Sequence, residues 1–314
     1  MEETRSPLCR IPPQIPPELL INIIYLAASS SRHSALDLCL VSSWARDIAI
    51  RCLLDTVVIR NHLEHQLFWK FLIKSPTQTS TSNIPFAHSV RNLWVTAVSP
   101  HVVRTYAACE SVQHLALSDG SLSWLLNASV MGRDPLALHG HLDLSEQERT
   151  RRDDMHLTLF IIGFLWRNRQ TIIWDSTKTF PLLRNITRLR FANYGFRDGI
   201  TVHDIDPFPN LTHLAIASYG SVSFEDFASQ ILAVKSIQMF VLVMTTSRID
   251  QEDVPRLMAY ARQIRKSDSR LYLAQSIWRG MDIQPEWEDD MRRGRNIWDR
   301  AVEYTELHVD VYNQ

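Results

Sequence analysis

The chain has 314 residues, 45% of them hydrophobic and 21% charged, and its 33 basic and 34 acidic side chains leave a formal charge of -1. That composition excludes a globally disordered chain, because low hydrophobicity with high net charge is what prevents a core from forming. It also supplies no overall field to draw a phosphate backbone or an anionic membrane, so no nucleic-acid or membrane partner is expected.

The length suits two domains, or one extended repeat domain with a small attachment. Cys9, Cys39, Cys52 and Cys109 are too far apart for a C-x-x-C pair and suit a reducing compartment. The acidic Met1-Glu2-Glu3-Thr4-Arg5 leads into prolines, not an apolar segment, so no secretory signal is expected. The longest apolar run, Leu157 to Trp166, falls short of the roughly 20 residues that cross a bilayer. These features imply a soluble intracellular protein, cytoplasmic and/or nuclear.

In chain order, Ile11 to Glu18 opens extended, because each proline fixes its own φ and disfavours a helical residue before it. Pro17 can start a helix, and Glu18 then sits at the positive end of its dipole. Leu19, Leu20, Ile23, Ile24, Leu26 and Ala27 follow at helical spacing as one broad apolar face. Ser29-Ser30-Ser31 breaks that helix, and Ser34 can cap a second carrying Leu36, Leu38, Leu40 and Val41. Ser42 or Ser43 can cap a third, with Trp44, Ile48 and Cys52 along one side. A unit of about 40 residues buries too little to be comfortably stable alone, so it should lean on a partner or on the rest of the chain.

Thr56 to Ile59 favours a strand, and an aromatic helical stretch follows from His62 to Ile73 before a polar loop, Lys74 to Asn83. From Val90 an apolar pattern recurs as Val90/Leu93/Val95, Val112/Leu115/Leu117, Ile186/Leu189/Phe191, Leu211/Leu214/Ile216 and Ile237/Phe240/Leu242, with an incomplete copy at His139/Leu142/Leu144. The middle anchors are separated by 22, 27, 47, 25 and 26 residues. Four of these spacings match a leucine-rich unit, whose strand and helix need stacked neighbours to complete a core. The long gap holds a charged loop, Glu146 to Asp154, and an apolar stretch read as helical from Met155 to Trp166. Trp94, Ala116, Asp143, Arg190, Ala215 and Val241 lie between the second and third apolar residues of each copy. Strand alternation therefore sets them in an outward row suited to contacting something. A terminal helix from Asn296 to Ala301 can cap the array and pack Trp298 inward.

The sharpest catalytic signal is His139-Gly-His141-Leu-Asp143, which puts three potential zinc ligands on one face of a strand, as in a metal-dependent hydrolase. Neither a G-x-G-x-x-G nor a G-x-x-x-x-G-K-[ST] phosphate cradle occurs, nor a G-x-S-x-G nucleophile elbow. Cys109 reads as a buried structural thiol, and Glu286 to Asp290 as a solvated acidic face. No cofactor, metal or catalytic residue is assigned.

Ile15-Pro16-x-Glu18-Leu19-Leu20-x-x-Ile23-Ile24, then Leu36 and Leu40, then Val41-Ser42-Ser43-Trp44-Ala45-Arg46 together resemble an F-box. An F-box followed by degenerate leucine-rich repeats is similar to a class widespread in fungi. The resemblance implies an α/β chain with a short three-helix F-box at 11–54. An irregular leucine-rich-repeat-like solenoid with a C-terminal capping helix would follow at 55–314. It implies docking of Ile15, Pro16, Glu18, Leu19, Leu20, Ile23, Ile24, Leu36, Leu40, Val41 and Trp44 on the Skp adaptor of a cullin ubiquitin ligase, with the repeats holding an unknown target protein. The residues leave two alternatives open: a hydrolase using His139, His141 and Asp143, and a scaffold without a ligase role.

Overall fold

In the computed structural model, residues 15–74, 86–132, 134–136, 154–160, 181–192, 202–218, 224–245, 253–276 and 283–310 are described. A division between Leu53 and Leu54 separates two compact units.

The first unit is helical. Helix α1 (Pro17–Ser30) begins on proline, and α2 (Arg32–Val41) follows after the extended residue Ser31. Ser31 is the cap of α2, its side chain accepting from the backbone N–H of Ser34. Ser42 caps α3 (Ser43–Asp55) by accepting from the N–H of Ala45 at 3.1 Å. The helices meet through small residues, with Ala28, Ala35 and Ala49 buried together and Leu38, Cys39, Cys52 and Leu53 packed around them.

The second unit alternates strands with helices. In chain order it comprises β1 (Thr56–Ile59), α4 (His62–Lys74), β2 (Asn92–Val95), α5 (His101–Ala108), β3 (His114–Ser118) and α6 (Asp119–Met131). After these come β4 (Met155–Phe160), α7 (Pro181–Arg184), β5 (Ile186–Phe191), β6 (His213–Ser218) and α8 (Phe224–Ala233). The unit closes with β7 (Met239–Thr245), α9 (Asp253–Arg265), β8 (Leu271–Ser276), α10 (Gln284–Arg292) and α11 (Ile297–His308). All eight strands run parallel in one sheet whose spatial order is the chain order. Parallel neighbours need a crossover between them, which is why helices or long connections separate the strands.

Val57, Leu93, Leu115, Leu157, Leu189, Leu214, Phe240 and Leu271 occupy one register row across the sheet. On this face Phe227 of α8 stacks edge-on against Phe240. The buried sides of the crossover helices, among them Val102 and Tyr106 of α5, Leu122 and Leu126 of α6 and Leu257 of α9, supply further core. The opposite face carries Trp94, Ala116, Thr158, Arg190, Ala215 and Val241 in the alternate row. Here α10 and α11 lie. Ile283 and Trp287 pack on Trp94, Ala116, Phe160 and Ala192. Ile297, Trp298 and Ala301 pack on Ala215, Val241, Val243 and Ala274.

This corrects the expected architecture. The chain has not an F-box triplet followed by a leucine-rich-repeat-like solenoid with a capping helix, but an α/β fold with an eight-stranded all-parallel sheet and eleven helices among the described residues. The physical reason is visible in the row expected to face outward. Trp94, Ala116, Arg190, Ala215 and Val241 are all buried, because the chain's own last two helices cover them. A parallel sheet covered on both faces generates the same apolar spacing that a repeat does. The terminal helix also does more than close an edge: its first turns rest on the face, and Thr305 bonds the N–H and C=O of Leu273 in β8.

Two local features also differ from expectation. Met155–Phe160 is a strand, not the start of a helix, and supplies the member of the sheet missing between β3 and β5. The incomplete copy at His139/Leu142/Leu144, together with Asp143 of the outward row, lies outside the described residues.

Candidate functional site

Helix α1 buries only Ile24 and Ala28. Opposite them, Leu19, Ile23 and Leu26 recur at i, i+4 and i+7 as one stripe, exposed by 53%, 53% and 65%. Leu40 and Val41 at the end of α2 are 82% and 70% exposed, and Ile15, Leu20 and Leu36 are exposed as well. Pro16 and Glu18 stand in the exposed first turn, whereas Trp44 is half-buried. Ile24, counted from the sequence among the docking residues, instead faces the interior. Tyr25 and Leu26 are exposed and were not among them; the spacing of Leu26 from Leu19 and Ile23 is the signal that marks it. Arg46 Nε donates to the Cys39 carbonyl at 2.9 Å, tying α3 to α2 beside Leu40. Such a density of exposed apolar side chains on one small unit marks an interaction surface.

The second unit holds a polar system beneath α10 and α11. Glu286, 3% exposed, receives Arg190 of β5 at 2.8 Å and also pairs with Arg300 of α11 and accepts from Ser276 of β8. Burial alone would raise the Glu286 carboxyl, but the two guanidiniums outweigh it and hold the group at about 2. Asp290 lies 2.9 Å from the same Arg300 yet is pushed up to about 6. For Asp290 burial outweighs the attraction of Arg300 and Arg190, and the neighbouring Glu286 charge adds to the rise. This is the segment expected to be a solvated acidic face; two of its acids are buried by the sheet.

A second register row places His114, His156, Arg188 and His213 side by side on β3 to β6. His114 and His156 meet edge to face with ring centroids 4.2 Å apart, and His213 stands edge-on to Trp298. Burial, reinforced by the Arg188 charge, lowers His114 and His213 to about 4. His156 falls to about 2, through burial first and then through His114, Arg188 and His213. A small cavity is lined by His114, His156 and Arg188 of this row and by Asp290, Asn296 and Trp298 at the helices.

A third polar group lies just past the carboxyl ends of β1 and β2. His62 Nδ1 is 3.2 Å from Ser99 Oγ, His65 Nε2 is 3.0 Å from Thr105 Oγ1, and the His101 ring lies 5.5 and 5.8 Å from those of His62 and His65. His65 is fully buried and lowered to about 4, so it is neutral at pH 7. Among the described residues no group of three or more His, Cys, Asp or Glu side chains is placed to hold a metal ion. His139, His141 and Asp143 lie outside those residues. No described helix is long and apolar enough to cross a membrane. Cys109 is buried, and Cys39 and Cys52 are half-buried.

No family model, curated protein or solved structure matches this chain.

Proposed function

We propose that the chain is a target-recruiting subunit of a cullin-type ubiquitin ligase whose N-terminal helical unit seats on a Skp adaptor. The observation that supports this reading is the Leu19/Ile23/Leu26 stripe, left exposed on the side of α1 away from its buried residues, with Leu40 and Val41 exposed on α2. Fully burying one Leu or Ile side chain contributes about 1.5–3 kcal/mol, so the stripe supplies part of the association energy, and a stable complex also draws on the other exposed apolar residues of α1 and α2 to exceed a cost of about 4–15 kcal/mol. The sequence resemblance of residues 15–46 to an F-box supplies the identity of the partner.

In this reading the second unit carries the target, and no acid, base or nucleophile is required of the chain. Holding target lysines beside a charged conjugating enzyme raises their effective concentration, and that is the mechanism. Because α10 and α11 fill the inner sheet face, contact with a target falls to other surfaces. Helix α4 presents one in Leu63, Leu67 and Phe71, exposed at i, i+4 and i+8.

The test is titration of the full chain against a purified Skp adaptor. Wild type is expected to bind, and Leu19→Asp with Ile23→Asp to weaken binding more than a hundredfold while leaving the helical circular dichroism unchanged. Absence of adaptor binding by the wild type, or equal binding by the double variant, would overturn the assignment.

A further inference from the structure

Three features of the α/β unit stand out beyond the N-terminal docking surface: the imidazoles near Ser99, the apolar stripe on α4, and the histidine row beneath α10 and α11. The first lacks a metal-holding arrangement, and nothing shows what covers the second. The third combines a cavity, an interface and a set of charges with one consequence.

The row is unusual for its place. A parallel sheet covered on both faces is expected to carry apolar side chains throughout, yet three histidines and Arg188 stand in one line across four strands. Each histidine is held neutral next to a fixed positive charge. His114 faces Arg188 and His156 on the sheet, Asp154 ahead of β4 and Asp299 on α11. His156 faces His114, Arg188 and His213, with Asp154 3.7 Å from its Nε2, and its Nδ1 is buried without a hydrogen-bond partner. His213 faces Arg188, Asp154 and the Trp298 ring. From α10, Asp290 faces Arg300, Arg190 and Glu286. A proton taken up anywhere in the row adds to Arg188, and Asp154, 64% exposed, is too solvated to neutralise several such charges.

We propose that α10 and α11 form an acid-labile cover, opened from the sheet by proton uptake on His114, His156 and His213 before the strands themselves separate. Both helices follow the last strand, so lifting them breaks no β ladder; the contacts to the sheet that must break are side-chain ones, among them Thr305 with Leu273, Arg300 with the Gln275 carbonyl, Arg292 with the Thr56 carbonyl, and Glu286 with Arg190 and Ser276. The sign follows from linkage. Released histidines titrate near 6.5 and the covered ones far lower, so opening takes up protons as the pH falls below that value. Asp290 acts in the opposite direction, because it is protonated more readily when covered. Three protons gained against about one returned leave a net uptake of about two near pH 5, so the opening constant rises roughly a hundredfold per pH unit. Opening is a sub-global event that exposes Trp94, Ala116, Ala215 and Val241 together.

Amide hydrogen exchange of the full chain between pH 7.5 and 5, corrected for the intrinsic pH dependence of exchange, tests this region by region. Protection in α10 and α11 is expected to fall about a hundredfold per pH unit below 6 while β3 to β7 stay protected. His114→Asn and His213→Asn should each reduce that slope. Loss of protection in helices and strands together, or no loss by pH 5, would overturn the proposal in the wild type alone, whatever the variants do.

Discussion

Glu286 shows how one side chain decides whether the cover fits. It takes two guanidiniums and a hydroxyl in a site almost closed to solvent. Removing one partner of a buried ion pair is costly chiefly because the other charge is stranded, by about 3–5 kcal/mol. Glu286→Gln preserves shape and leaves Arg190 and Arg300 facing a neutral amide. Urea unfolding should therefore show a loss of that size, whereas a loss below about 1 kcal/mol would mean the network contributes little. Gly120, in the first turn of α6, is constrained by space: a Cβ there would lie 2.7 and 2.9 Å from the two methyls of Val98. Overpacking of this kind costs about 1–3 kcal/mol, and Val98 is 58% exposed and can yield, so Gly120→Ala should fall at the low end. Val98→Ala in the same chain should restore most of the stability, and a double variant no better than Gly120→Ala would place the cost elsewhere.

Among the elements, α11 carries the clearest local signal. Asn296 accepts from the N–H groups of Trp298 and Asp299, and Asp299 accepts from the N–H of Asn296, forming a closed capping box. Asn296→Ala should cost about 1 kcal/mol, measured as a shift in the urea midpoint, and should fray the turn that carries Trp298. Elements of this kind were legible. The anchors Leu93, Leu115, Leu189, Leu214 and Phe240 located five strands, because a buried parallel strand needs apolar residues two apart, and those anchors do share one register row. Strand β4 escaped because five of its six residues are buried, so Met155–Phe160 shows no alternation to separate it from a buried helix. What escaped is that α10 and α11 lie across the sheet face, because the partners are remote: Arg60 reaches Gln284 and Trp94 meets Trp287 at a tilt, pairings that no local period encodes. On α1 the apolar face was legible, but not its division into buried Ile24 and exposed Leu26, which depends on where α2 and α3 lie.

For the whole molecule, the buried imidazoles set how stability responds to pH. His65, His114, His156 and His213 are all neutral in the fold and titrate near 6.5 once unfolded. Their folded values are depressed, so the unfolded chain binds the extra protons and stability falls as the pH drops below about 6.5. The decline continues toward about 4 for three of them and further for His156. Asp290 offsets part of this between about 6 and its ordinary carboxylate range, since its folded value is raised. At pH 5 each histidine lowered to about 4 or below removes on the order of 2 kcal/mol, which for a domain with about 5–15 kcal/mol in total brings the fold close to its limit. Denaturant midpoints measured from pH 8 to 5 should stay level above 7 and then fall steeply. His65→Gln should flatten the curve without altering the pH response of α10 and α11, because His65 sits by Thr105 and His101, away from the row they cover. A midpoint that holds constant down to pH 5 would mean these imidazoles become protonated in the folded chain at no cost, and the burial that explains their neutrality would not be operating.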